Sequence, residues 1–172
     1  EMGDNLAPIA LGTGRTVLAA DAGFDDTCAL LDDGTLRCFG HRTGRGDDAG
    51  EMGDALPVIE FGDPPKIAEL AAGPSQTCAR LTDGHVACVG YNFFGELGLG
   101  TTGHVGDDPA ELGDGTRFVD LGTGRTARSI AVGGVHVCAI LDTWQVKCWG
   151  RNAAGQLGYG DTTPRGAAPG EM

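Results

Sequence analysis

The stretch GGVHVCAILDTWQVKCWGRNAAGQLGYG, from Gly133 to Gly160, has two degraded copies upstream, and this repetition limits the possible folds more than any other feature. Residues 73–100, GPSQTCARLTDGHVACVGYNFFGELGLG, match it at a shift of 60 without a gap. Residues 23–46, GFDDTCALLDDGTLRCFGHRTGRG, match at a further shift of 50 but lack the Gly-x-Leu-Gly ending. The linkers repeat as well, with EMGD at Glu1 and Glu51 answering ELGD at Glu111, and LGTGR at Leu11 recurring at Leu121. A unit of 50 to 60 residues gains a core by stacking on its neighbours, so the period predicts propeller blades or solenoid turns. The chain divides as one array, with repeats over 1–52, 53–112 and 113–172.

Each copy reads as a hairpin. Val135, Val137, Ala139 and Leu141 alternate with His136, Cys138 and Ile140, the pattern of a half-buried strand. Asp32-Asp33-Gly34 and Thr82-Asp83-Gly84 are strong turn signals, because glycine accepts the positive φ a hairpin needs, whereas Asp142-Thr143-Trp144 is a weaker one. Short strands are expected ahead of each hairpin, over 17–20, 67–72 and 129–132, and outer strands over 8–11, 58–61 and 118–121. The 31 glycines among 172 residues sit at fixed places in the copies and read as turns, and no long segment carries helical apolar spacing. The expected class is all-β, with blades of four antiparallel strands and about three blades in this chain.

Six cysteines fall as Cys28 with Cys38, Cys78 with Cys88 and Cys138 with Cys148, each pair with nine residues between its members. With the turn midway, the two members lie opposite each other across the hairpin and three local disulfides are expected, each worth roughly 2.5 to 3 kcal/mol in the chain-entropy model. Metal binding is the rival reading, though zinc sites favour Cys-x2-Cys clusters and only the third copy has a histidine close by, His136. Disulfides place the chain outside the cytosol: extracellular, periplasmic or on a cell surface.

A net charge of −12 argues against nucleic acid and anionic membranes as partners, and no apolar run approaches the ~20 residues of a membrane helix. Asp47, Asp48 and Asp54 are matched by Asp107, Asp108 and Asp114 in the acidic linkers. They are the candidate calcium ligands, against the plainer reading of solvated loops, since neither linker has the spaced Asp-x-Asp-x-Asp pattern. No other cofactor is implied. Trp149, Phe39 and Val89 precede in-phase glycines and read as core between blades, and Leu97 and Leu157 as plugs for the exit loops. Asn92 and Asn152 are placed to tie a turn together through side-chain to backbone bonds. Trp144, Phe93 and Phe94 are the candidate protein-contact residues.

The pattern Ala-Ala-Gly, a strand, Cys-Ala-x-Leu-x-Asp-Gly, then Cys-x-Gly-x-Asn-x-x-Gly-x-Leu-Gly resembles the regulator of chromosome condensation repeat family, in particular secreted bacterial members with paired cysteines in each repeat. The resemblance rests on residues 71–100 and 131–160, with the first copy weaker, Arg42 standing there in place of the asparagine. It implies a β-propeller of four-stranded blades, commonly seven. Members of the family act in several ways, the eukaryotic founder as a nucleotide exchange factor on chromatin and a bacterial one as an inhibitor of β-lactamases. The acidic balance and the paired cysteines suit the chromatin role poorly. No catalytic constellation stands out. The expected function is a secreted or surface-exposed scaffold for protein-protein binding, non-enzymatic, with a protein or further copies of the chain as partner. A structural subunit of a surface assembly or filament, part of a secreted enzyme, and a calcium-binding module are the alternatives. Three blades sweep less than half of a seven-bladed ring, so the chain reads as a segment of a longer polypeptide or as a unit completed by further copies.

Overall fold

The computed structural model describes residues 5–40, 45–59, 61, 66–106 and 111–172. Among them nine strands form three antiparallel sheets of the same design. The first blade contains β1 (Val17–Ala22), β2 (Asp26–Leu31) and β3 (Leu36–Gly40). The second contains β4 (Ile67–Ala72), β5 (Gln76–Leu81) and β6 (Val86–Gly90). The third contains β7 (Ala127–Val132), β8 (His136–Leu141) and β9 (Val146–Gly150). The first strand of every blade carries a register shift at the same place, between Val17 and Ala19, Ile67 and Glu69, and Ala127 and Ser129. Such a bulge adds twist where the strand enters the sheet.

The hairpins follow their turn chemistry. In each, the third turn residue donates its amide back to the last strand carbonyl: Gly34 to Leu31 at 3.0 Å, Gly84 to Leu81 at 3.0 Å and Trp144 to Leu141 at 2.9 Å. All three have positive φ, 85°, 88° and 66°. This is the three-residue loop that ends in a left-handed residue, and the third blade keeps it although a tryptophan fills the glycine position. With the turn centred, the cysteines of each pair face each other in register. Disulfides join Cys28 to Cys38, Cys78 to Cys88 and Cys138 to Cys148, each with Cα atoms 4.1 Å apart.

Among the described residues the expected outer strands are not formed. Each sheet has three strands rather than four, and the fourth is reduced to a single bridge, Leu36 to Ile59 in the first blade and Ala87 to Phe118 in the second. Each of these segments leaves a one-turn 3-10 helix, Gly53–Ala55 or Gly113–Gly115, and at once turns inward. Their remaining apolar side chains plug the core, with Phe61, Val119 and Leu121 buried, so there is room for little more than one exchange of ladder bonds. Residues 8–11 likewise form no strand.

The core lies between blades. Cys28, Leu30, Leu36 and Cys38 meet Phe61, Ile67, Leu81 and Ala87 at the first junction. Cys78, Val86 and Leu97 meet Leu121, Ala127, Val137, Leu141 and Trp149 at the second. Each fully buried aliphatic side chain contributes about 1.5–3 kcal/mol. Polar groups fix the register of the junctions: the Glu69 carboxylate accepts from Ser129 Oγ and from Arg80 Nε, both at 2.8 Å, and Asp21 accepts from the Ala72 amide at 2.7 Å. The loops that follow the first strands come closest. A Cβ on Gly23 would stand 2.4 Å from the Gly73 carbonyl oxygen, and one on Gly73 would stand 2.5 Å from that of Gly133, so only glycine fits there.

Candidate functional site

The exit loop of the second blade is built around one side chain. Asn92 is fully buried, its Oδ1 accepts from the Leu97 amide at 2.9 Å, and its Nδ2 donates to the carbonyls of Thr101 at 2.7 Å and Gly103 at 3.0 Å. Leu97 is pinned beneath, also fully buried. A loop clamped in this way turns its remaining side chains outward, and here they are Tyr91, Phe93 and Phe94.

These rings form a platform. Tyr91 and Phe93 stack with centroids 5.7 Å apart and planes 17° from parallel. His104 meets both edge-on, at 4.9 and 4.7 Å, and accepts the Asn92 amide through Nδ1 at 3.2 Å. Phe94 stands beside them with the Arg151 guanidinium of the third blade 5.4 Å from its ring. Phe93 is 64% exposed, and an open cleft lined by Thr101, His104, Val105, Glu111 and Arg117 borders the platform.

The third blade shows that the loop does not require these aromatics. Asn152 makes the same bonds, to Asp161 O at 2.9 Å, Thr163 O at 3.0 Å and from Leu157 N at 3.0 Å. Arg151, Ala153 and Ala154 stand there in place of Tyr91, Phe93 and Phe94, and Pro164 in place of His104. The loop therefore closes without these rings, which leave aromatic area exposed at its surface, Phe93 most of all.

Trp144 does not join this platform. It sits on the β8–β9 turn, at the opposite end of the blades from the exit loops, and is 73% exposed with the Arg128 guanidinium 4.3 Å from its ring. Arg128 is aimed there by a bond from Nε to Asp142 O at 3.2 Å. The acidic residues are dispersed too. The Asp54 carboxylate accepts the Thr13 amide at 2.7 Å and hydroxyl at 2.6 Å, which holds its pKa below the usual range. Glu51, rather than Asp47 or Asp48, collects the Gly46 and Asp48 amides. Asp114 lies exposed in its 3-10 turn, and Asp107 and Asp108 fall outside the described residues. Among the described residues no three His, Cys, Asp or Glu side chains come together in a metal-holding group.

Tyr91, His104, Arg151 and Arg128 were not singled out from the sequence. Tyr91 could have been, since it belongs to the same run as Phe93 and Phe94 and is replaced by arginine in the other full copy. His104 and Arg151 join across the loop and across the blade junction, where sequence spacing carries no signal.

Residues 127–156 match the family model described as the regulator of chromosome condensation (RCC1) repeat. No curated protein matches the chain significantly in sequence. Solved structures share its fold. Prp20p from Saccharomyces cerevisiae aligns with a TM-score of 0.66 at 19% identity, over 88% of this chain and 37% of that one. Human WBSCR16 aligns at 0.66 and 20% identity, over 91% and 40%. The CRINKLY WD40 ectodomain of the Arabidopsis thaliana receptor kinase ACR4 aligns at 0.51 and 22% identity, over 82% and 40%. The chain thus spans two fifths or less of the length of these structures. Its fold is part of a β-propeller of RCC1 type, and its third blade carries the repeat's sequence pattern.

Proposed function

We propose that this chain is a secreted or surface-exposed propeller scaffold, non-enzymatic, that binds another protein through the loops at one end of its blades. The observation that carries this reading is the aromatic platform of Tyr91, Phe93 and His104, flanked by Phe94, on a loop whose counterpart folds without aromatics. Stacked rings offer a large contact area at little cost in side-chain entropy. The binding of Prp20p to Gsp1p and histones, named with its structure, supports the protein-binding reading, although at 19% identity only the fold is shared. Three intramolecular disulfides fit an oxidising compartment, and the blade type occurs in a receptor ectodomain. The excess negative charge favours a partner whose surface is neutral or basic.

The test uses the oxidised chain immobilised on a resin and exposed to the extracellular fraction of the source cells. A protein retained by wild type and by Trp144→Ala, but lost from the Tyr91→Arg, Phe93→Ala double variant, supports the platform. Equal retention on the two variants, or nothing retained by wild type alone, refutes it. Thermal melts confirm that Asn92, left intact, still closes the loop.

A further inference from the structure

The chain that leaves each exit loop returns to its sheet at one fixed point. Gly40 bridges to Arg45, Gly90 to Val105 and Gly150 to Arg165, so these three partners hold equivalent places. Just beyond each, a glutamate folds back to accept a backbone amide: Glu51 from Gly46 at 2.8 Å, Glu111 from Gly106 at 2.8 Å and Glu171 from Ala167 at 2.9 Å. In the first and third blades the arginine at the bridge meets a carboxylate of its own blade. Arg45 Nη1 lies 3.8 Å from Glu51, and Arg165 Nη2 lies 2.7 Å from Asp161 with its guanidinium 5.6 Å from the Tyr159 ring.

The second blade keeps the glutamate and lacks the arginine. Val105 stands at the bridge and Thr101 in place of Asp161. Where its neighbours place an ion pair, this blade has the open cleft, with Thr101, Val105 and Glu111 on its walls. Among the described residues no arginine or lysine pairs with Glu111. Arg117 also lines the cleft, but its Nη2 is bound to the Leu99 carbonyl at 3.1 Å. His104 belongs both to the cleft and to the aromatic platform, so the two adjoin. A carboxylate without a cation, beside exposed rings, on a chain of net charge −12, is complementary to a flat positive side chain, the guanidinium above all.

We propose that this cleft is the subsite for an arginine of the partner protein, whose guanidinium pairs with Glu111 while an adjacent apolar residue rests on Phe93. Its place in a partner interface rests on the platform reading, and it names what that surface receives: a basic segment with arginine next to an apolar residue.

The probe is acetyl-Arg-Phe-amide, set against the same peptide with citrulline for arginine, which keeps the shape and removes the charge. Amide and ring resonances of the full oxidised chain are followed as each is added. The Gly103, Val105 and Gly115 amides are expected to shift to saturation with the arginine peptide, and binding of the citrulline peptide to be at least about threefold weaker, the scale of a partly solvated ion pair. Val105→Arg restores the residue of the neighbouring blades and should abolish these shifts. Glu111→Gln keeps an acceptor for Gly106 and should weaken the arginine peptide to the level of the citrulline one. Amide shifts without movement of the Phe93 ring support the subsite and count against the platform. Ring shifts that are the same for both peptides support the platform and overturn the subsite. Equal affinity for the two peptides, no binding at all, or a Val105→Arg chain that binds as wild type does would each overturn the proposal.

Discussion

Trp149 offers the sharpest quantitative check on where the core lies. Its side chain is fully buried at the junction of the second and third blades, and its Nε1 donates to the Glu96 carbonyl at 3.0 Å. Trp149→Ala removes the largest buried side chain of that junction, a change that costs about 3–5 kcal/mol in a site that cannot collapse. The stranded carbonyl adds about 1 kcal/mol, because Glu96 is itself buried and has little water to turn to. The expected total, about 4–6 kcal/mol, is a large fraction of the 5–15 kcal/mol by which a typical domain is stable. Trp149→Phe keeps most of the ring but loses the donor, and should cost about half as much. Trp144→Ala loses only an exposed cation–π contact and should cost about 0.5–1 kcal/mol. Urea melts followed by circular dichroism measure all three, read at the midpoint with unchanged slope. If Trp149→Ala and Trp144→Ala differ by less than about 1 kcal/mol, the junction is not built on Trp149 and the reasoning from burial fails.

Two further outcomes follow from the loops and the carboxylates. Asn92→Asp keeps the acceptor for Leu97 but sets a carboxylate against the carbonyls of Thr101 and Gly103, so thermal melts should show a loss of about 2–5 kcal/mol and proton spectra a collapse of the Tyr91–Phe93 ring-current shifts. The hydroxyl of Thr35 holds Asp33 below its usual pKa, the Thr13 hydroxyl does so for Asp54, the Gly46 amide for Glu51 and the Thr163 amide for Asp161. These depressed values mean the folded chain binds fewer protons, so their stabilisation is present above the ordinary carboxylate range and is lost as pH falls through the lowered values. Melting temperature should be flat above about pH 5 and fall below about pH 4, and a decline centred near pH 6 instead would contradict the assignment.

The hairpins were legible because their signals are local. Alternation set the faces of β8, equal cysteine spacing set the register, and the asparagines announced the exit loops. The outer strands were misjudged for a physical reason. Val58, Ile59 and Phe118 have the composition of strand residues, but Phe61, Val119 and Leu121 are spent on the core, and a segment cannot both plug a junction and run along a sheet edge. The platform was half legible. Phe93 and Phe94 stand out where the other full copy has alanines, yet the contribution of His104 depends on Asn92 folding the chain back, a contact set by tertiary structure. The left-handed backbone at Trp144 could not be read from propensity, because the turn is imposed by the hairpin around it.

The disulfides have a consequence for how such a chain can change. Every bond closes inside one hairpin, ten residues from cysteine to cysteine, and none crosses a blade junction. A blade therefore carries both of its cysteines whenever it is duplicated, lost or exchanged, and an array of any length has no odd thiol left to mispair. It also means that each bond can form as soon as its own hairpin meets an oxidising environment, before the neighbouring blades have folded. Cross-linking of this kind leaves the number of blades free while it secures each one.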